Sequence, residues 1–402
     1  MKIRNLFLSC LLFAGFCSYG QGFNDILGQH SSNTITTAVP FVSIAPDARG
    51  GSMGDCGVAT TPDAFSMHYN AAKYAFMRDG MSIGLAYSPW LRNLVQDMNL
   101  AYLGFAYKIN DRSAVSATLR YFSCGDITFT DVSGQTLGTY KPNEWAINAA
   151  YSRKLGDYLS AAVAGSFIYS DLTQGIGDYA GVGWSVAADI SVYYEREVSW
   201  FSNVDADFSW GVSINNIGSK VSYNSASERK DFIPTMLRLG PNLNLHLDEY
   251  NSLAFFVDFT KLLVPTPPIY ARDSESGQIL TDANGDYIIA AGKDNDVSTV
   301  MGMIQSFYDA PGGFSEEIKE INIGAGVEYW YNNIFSVRAG YFNESKMKGN
   351  RKYVTLGAGL RYNVFGLDVS YLVPVNGTVG TNPLENTLRF DLTYNLESKK
   401  RR

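Results

Sequence analysis

From Met81 onward the chain repeats one pattern, in which large apolar residues alternate with small or polar ones. Val115, Ala117, Leu119 and Tyr121 share one parity, and Ser116, Thr118 and Arg120 the other. The last such segment is the cleanest: Leu388, Phe390, Leu392, Tyr394 and Leu396 oppose Arg389, Asp391, Thr393 and Asn395. A period of two marks a strand with two unlike faces. The charges test which face is which. Arg120, Asp189, Arg238, Asp258, Glu328, Arg338, Arg361, Asp368, Arg389 and Asp391 all fall on the small or polar parity, and none is expected on the aromatic one. An Arg or Lys facing lipid at mid-depth costs roughly 2 to 4 kcal/mol. If the sheet closes in a membrane, the charged parity therefore lines the lumen and the apolar parity meets hydrocarbon.

The pattern gives fourteen expected strands, at 81–88, 98–108, 114–122, 144–153, 158–170, 180–194, 207–216, 235–246, 252–263, 320–331, 334–342, 352–362, 364–373 and 386–396. An even number suits a single-chain antiparallel outer-membrane barrel. Residues 1–20 read as a secretory signal peptide, with Lys2 and Arg4 before an apolar run from Leu6 to Phe16. No apolar stretch after it approaches the roughly 18 to 20 residues of a membrane helix, so a closed barrel is the remaining way to span a bilayer. A soluble sandwich is the competing reading; the weight of strand-face aromatics, with 26 Tyr and 23 Phe in the chain, opposes it. The net charge of −7 offers no basic footprint for nucleic acid.

Connection lengths orient the barrel. Those after even-numbered strands are tight, as at Asn110-Asp111, Gly156-Asp157, Asp248-Glu249 and Asn332-Asn333, which places them in the periplasm. Glu195 to Asp205 is the exception, a long connection on the periplasmic side. Residues 21–79 lack sustained alternation and are expected to fill the lumen as a hatch, with a helical portion around Ala64 to Phe76. The stretch PDARGGSMGDCG, Pro46 to Gly57, has the glycines that tight turns and close backbone approach require. Asp47, Arg49, Asp55 and Asp63 are its candidate partners for lumen charges, whose five arginines and five carboxylates nearly cancel. The barrel spans 80–396, and a basic tail follows at 397–402.

The stretch Pro40 to Phe76, with its PDAR, MG, GVAT, DAF and final Asn-Ala elements, resembles the front of the PorV (LptO) family, outer-membrane components of the type IX secretion system. The resemblance covers essentially the whole mature chain, including a FadL-like fourteen-strand plan. It implies a non-enzymatic protein that binds the translocon, receives cargo through its C-terminal signal domain, and delivers it to the surface attachment complex containing the sortase. A FadL-like transporter of hydrophobic small molecules is the alternative, and a lipopolysaccharide deacylase the third. The chain departs from the usual terminal aromatic, since Tyr394 is followed by Asn-Leu-Glu-Ser-Lys-Lys-Arg-Arg.

Candidate chemistry is sparse, and no catalytic, metal or cofactor residues are assigned. His30, His68 and His246 are dispersed. A bridge between Cys56 and Cys124 and two separate buried thiols are both open readings. Asp282 to Asp286 resembles the start of an EF-hand loop, but Tyr287 and Lys293 occupy its required Gly and Glu positions. Asn284-Gly285 reads better as a hairpin with a type I′ turn. It belongs to the longest connection, Val264 to Glu316, expected outside the cell. There Val300, Met303, Ile304 and Phe307 recur at helical spacing after a Ser298 cap, with Met301 beside them. That stripe either folds over the barrel mouth as a lid or docks a partner.

Overall fold

A computed structural model describes residues 33–91, 97–131, 133–175, 181–201, 204–223, 230–273, 275–375 and 387–397. The signal peptide, His30 and residues 398–402 of the tail lie outside them. In chain order the strands are β1 (Asp79–Pro89), β2 (Asn99–Asn110), β3 (Ser113–Ser123), β4 (Ile127–Thr130), β5 (Thr136–Tyr140), β6 (Asn143–Lys154), β7 (Leu159–Asp171), β8 (Gly183–Phe201) and β9 (Val204–Gly218). They continue as β10 (Met236–His246), β11 (Asn251–Leu262), β12 (Ile269–Tyr270), β13 (Ile289–Ala291), β14 (Ile321–Tyr331), β15 (Phe335–Asn343), β16 (Lys352–Tyr362), β17 (Phe365–Pro374) and β18 (Leu388–Glu397). Fourteen of these close an antiparallel barrel in which β1 pairs with both β2 and β18; β4–β5 and β12–β13 are separate ribbons in long connections.

Register carries the apolar parity around the wall. Leu360, Leu367, Leu392, Leu85, Leu103, Leu119, Ile147, Phe167 and Val186 are successive cross-strand partners. All are exposed. A row of this kind far exceeds what a soluble monomer leaves in water, and it is the belt a bilayer covers. The ten charges of the other parity point inward; nine are buried, and Arg361, near the short-turn end, is exposed.

Four expectations require correction. Arg153 in β6 lies on the apolar parity and is exposed. It sits one residue from the strand end, where the cost of a charge falls to roughly 0–1 kcal/mol. Glu195 to Asp205 is no long connection: β8 and β9 continue pairing through Glu195↔Ser209 and Val198↔Ala206 to Phe201↔Val204. Polar side chains disguised a hairpin that extends beyond the wall. Ala64 to Phe76 forms two short 3₁₀ helices, Ser66–His68 and Ala71–Phe76, because the Asn70 side chain caps a second start at the Ala72 N–H. Finally, Gly285 has φ +91° but Asn284 is absent from the positive-φ residues, so this turn is not type I′. The Asp282 carboxylate instead accepts the Asn284 and Asp286 N–H groups. Positive φ at both central residues occurs at Asn332-Asn333, closed by Ile334 N–H to the Tyr331 carbonyl at 3.0 Å.

Candidate functional site

The N-terminal segment runs through the lumen from the long-loop end to the short-turn end. At the start, the Asn33 amide donates to the Pro267 carbonyl and to Glu316. Val39, Phe41 and Val42 then pack on Leu100, Phe122 and Ile168 of the inner wall. Inward positions near this end therefore carry large apolar residues that sequence alternation alone had described as small or polar. The segment, not water, is their neighbour.

In the middle of the lumen Asp47 caps the short helix Ala48–Gly51, accepting Gly50 N–H at 2.7 Å and the Tyr69 hydroxyl at 2.8 Å. Asp391 accepts the Ala48 N–H at 2.6 Å, so a strand carboxylate also holds the helix start. Arg49 reaches Glu328 through two nitrogens at 3.0 and 2.8 Å and Asp63 through a third at 3.0 Å. Glu328 is shared with Arg338 at 2.6 Å, which in turn holds Asp368 at 2.6 Å. Asp258 accepts Gly57 and Val58 N–H groups at 2.7 and 2.9 Å, Tyr353 donates to Asp55, and Arg389 lies 3.5 Å from Asp55. Arg120 donates to the Phe41 and Ile44 carbonyls. Arg238 donates to the His68 carbonyl at 3.2 Å.

Of the ten strand charges, then, Arg120, Arg238, Asp258, Glu328, Arg389 and Asp391 touch the segment directly. Arg338 and Asp368 support Glu328 from behind. Asp189 accepts the Asn216 N–H at 2.7 Å, and Arg361 lies over the Trp330 ring at 4.3 Å; neither of these contacts involves the segment.

Two further sets of residues were missed. Ser152, Ser160, Ser209 and Ser213 donate to the carbonyls of Ala71, Ala72, Ala59 and Tyr69, satisfying backbone that an irregular buried segment would otherwise leave unpaired. Inward glycines make room for backbone: a Cβ at Gly326 would stand 2.6 Å from the Met53 Cβ, and one at Gly340 would strike the Gly54 amide. Glycine and serine recurring on the inward parity were the available signal.

The second candidate region is the connection from β11 to β14. Lys261 meets Glu320 at 2.5 Å and Glu317 at 3.2 Å, while Lys348 meets Glu316 at 2.6 Å and Glu320 at 2.8 Å. These buried pairs pin the helix Phe314–Lys319. The helix Thr299–Gln305, capped by the Ser298 hydroxyl at Met301 N–H, turns Gly302 and Gln305 inward. Its apolar side is therefore uncovered: Val300, Met301, Ile304 and Phe307 are 49–64 % exposed, and Tyr308, Phe314 and Ile318 further along the connection are exposed as well. Met303, expected in the stripe, is half-buried, and Met301 takes its place.

His68 lies between Arg120 and Arg238, and His246 meets Asp207 at 2.8 Å near a short turn. Cys56 and Cys124 are free thiols. Among the described residues no three His, Cys, Asp or Glu side chains converge as a metal site requires.

A closed barrel with a lipid-facing apolar belt and a charged interior occupied by its own N-terminal segment defines a class, the monomer-sized outer-membrane β-barrel protein with a filled lumen. The particular family follows from comparison: a family model described as "Type IX secretion system protein PorV" matches residues 27–269, and the chain belongs to that family. It is an outer-membrane protein of type IX secretion. No curated protein matches the sequence significantly. Among solved structures, the chain is similar to the Ralstonia pickettii toluene transporter TbuX, at 11% identity over 89% of this chain and 98% of that one, with TM-score 0.44. It is also similar to the Pseudomonas putida toluene transporter TodX, at 10% identity over 86% and 95% with TM-score 0.43. A Pseudomonas aeruginosa FadL homologue gives 11% identity over 90% and 99%, with TM-score 0.38.

Proposed function

We propose that this protein is a docking station of the type IX pathway: it binds the translocon, receives cargo by the cargo's C-terminal signal domain, and passes it to the surface attachment complex with its sortase. In this reading Pro46 to Phe76 acts as the hatch, and no cargo passes through the barrel. The long connections face outward and the short turns the periplasm, following the usual asymmetry of outer-membrane barrels.

The observation that carries the proposal is the apolar patch on the long β11–β14 connection. Glu316, Glu317 and Glu320 of the neighbouring helix are held by buried ion pairs and Gly302 and Gln305 are buried, while Ile304, Phe307 and Phe314 are exposed. A lid that only covered the mouth would turn those side chains the other way. An exposed patch rimmed by polar residues is the signature of a protein contact, and the Met301 thioether adapts to more than one partner.

The test is the double variant Ile304→Asp with Phe307→Asp. Barrel assembly, read as a heat-modifiable band on semi-native electrophoresis, stays at the wild-type level. Co-purification of translocon and cargo in mild detergent falls at least tenfold, and surface delivery falls with it. Wild-type pull-down and secretion by a correctly assembled variant would reject the docking role of this patch.

A further inference from the structure

Two buried arginines break the pattern set by the rest of the lumen. Arg49, Arg338 and Arg389 each meet a carboxylate. Arg120 and Arg238 are 4% and 5% exposed, yet their hydrogen bonds go to the carbonyls of Phe41, Ile44 and His68, to the Asn215 amide oxygen, and to the His68 ring. They approach that ring from opposite ends: Arg120 Nη2 is 2.9 Å from Nδ1 and Arg238 Nη2 is 3.4 Å from Nε2.

A guanidinium only donates, and a neutral imidazole has one acceptor nitrogen. Whichever tautomer is chosen, one ring N–H confronts a donor. The shorter Arg120 contact makes Nδ1 the acceptor and leaves Nε2–H facing Arg238. Protonating the ring would put a third cation in the same place, between Arg238 and Arg120.

Beside this confrontation lies a cavity lined by Tyr102, Asn148, Asp189 and Asn215 together with the three side chains above. It has about 20 Å³ of room for the centre of a water-sized sphere, enough for one small species and far too little for an acyl chain. Asp258, behind the cavity wall, and Asp189, within it, both face Arg238, whereas the groups bearing most strongly on Arg120 include no carboxylate. A buried charge without a counter-ion is strongly disfavoured, and Arg120 is that charge.

We propose that this cavity binds one small monovalent anion of halide size, lying to one side of the 3.4 Å contact between Arg238 and His68 Nε2 and accepting from both groups, with Arg120 closing the charge balance. The anion converts the donor–donor clash into two donations. It also ties the N-terminal segment to β3 and β10, since His68, Phe41 and Ile44 belong to the segment and the two arginines to the strands.

The full chain in detergent is unfolded by heat in sodium chloride, sodium bromide or sodium gluconate at matched ionic strength. The expected midpoint rises saturably with chloride and bromide and not with gluconate. Crystals grown in bromide show an anomalous peak in contact with His68 Nε2 and Arg238. Asn148→Asp, a near-isosteric change that adds a carboxylate to the wall, abolishes both signals while the barrel still assembles. If that variant fails to assemble, the wild-type titration and the bromide map decide alone. Equal midpoints in halide and gluconate, or a water without anomalous signal at this position, overturn the proposal.

Discussion

Glu328 is the residue on which the lumen network converges, since Arg49 from the segment and Arg338 from β15 both donate to it while it is 3% exposed. Removing one partner of a buried ion pair leaves an uncompensated charge and costs about 3–5 kcal/mol. Glu328→Gln is therefore expected to lower the temperature at which the folded band is lost on electrophoresis. Lys141→Gln, which breaks an exposed pair with Asp126, should leave that temperature within error. Asp309 makes a second prediction at this scale. Its carboxylate accepts Thr266 N–H at 3.2 Å, one of its oxygens has no partner, and burial followed by Glu317 and Glu320 raises its pKa to about 6. The folded loop thus holds this proton more tightly than the unfolded chain. Its contribution is fully present below the ordinary Asp value and is lost as pH rises through about 6. Limited proteolysis of the β11–β14 connection should be slower at acidic than at neutral pH, and Asp309→Asn should flatten that dependence.

At the scale of the element, each barrel strand is decided by what faces lipid. Leu392 lies at the centre of β18 between Leu85 and Leu367 and is 51% exposed, whereas Thr393 faces the lumen and lines a second cavity with Asp63, Arg361 and Asp368. Leu392→Arg carries the mid-depth cost of roughly 2–4 kcal/mol and is expected to reduce the assembled fraction severely. Thr393→Arg, placed beside Asp368 with room around it, should assemble nearly normally; equal yields of the two would contradict the register. The β8–β9 hairpin shows why strand ends were harder to read than strand centres. Glu195, Arg196 and Glu197 interrupt the apolar alternation, yet the backbone ladder continues through them because outside the hydrocarbon only hydrogen bonding, not side-chain polarity, sustains a strand.

For the whole molecule, a barrel of this size needs its interior filled or wet, and here the N-terminal segment packs against the inner wall. Deleting Pro46 to Phe76 should leave a barrel that inserts, because the wall ladders do not depend on the segment. Its conductance in planar bilayers should rise well above that of the intact protein. An inserted deletion variant with unchanged conductance would count against a hatch.

The sequence alone determined the barrel, its strand number and the direction of its charged face, because a lipid exterior penalises every misplaced charge and so writes a period of two into the chain. The alternation could not reveal the path of residues 33–78, whose order comes from contacts with strands hundreds of positions away, such as Arg49 with Glu328 and Ala48 with Asp391. It likewise identified an apolar stripe near residue 300 without its direction. Only the tertiary structure decided that Met303 turns partly inward and Met301, Ile304 and Phe307 outward, because the buried ion pairs of Lys261 and Lys348 hold the neighbouring helix and set which face of this connection rests on the barrel.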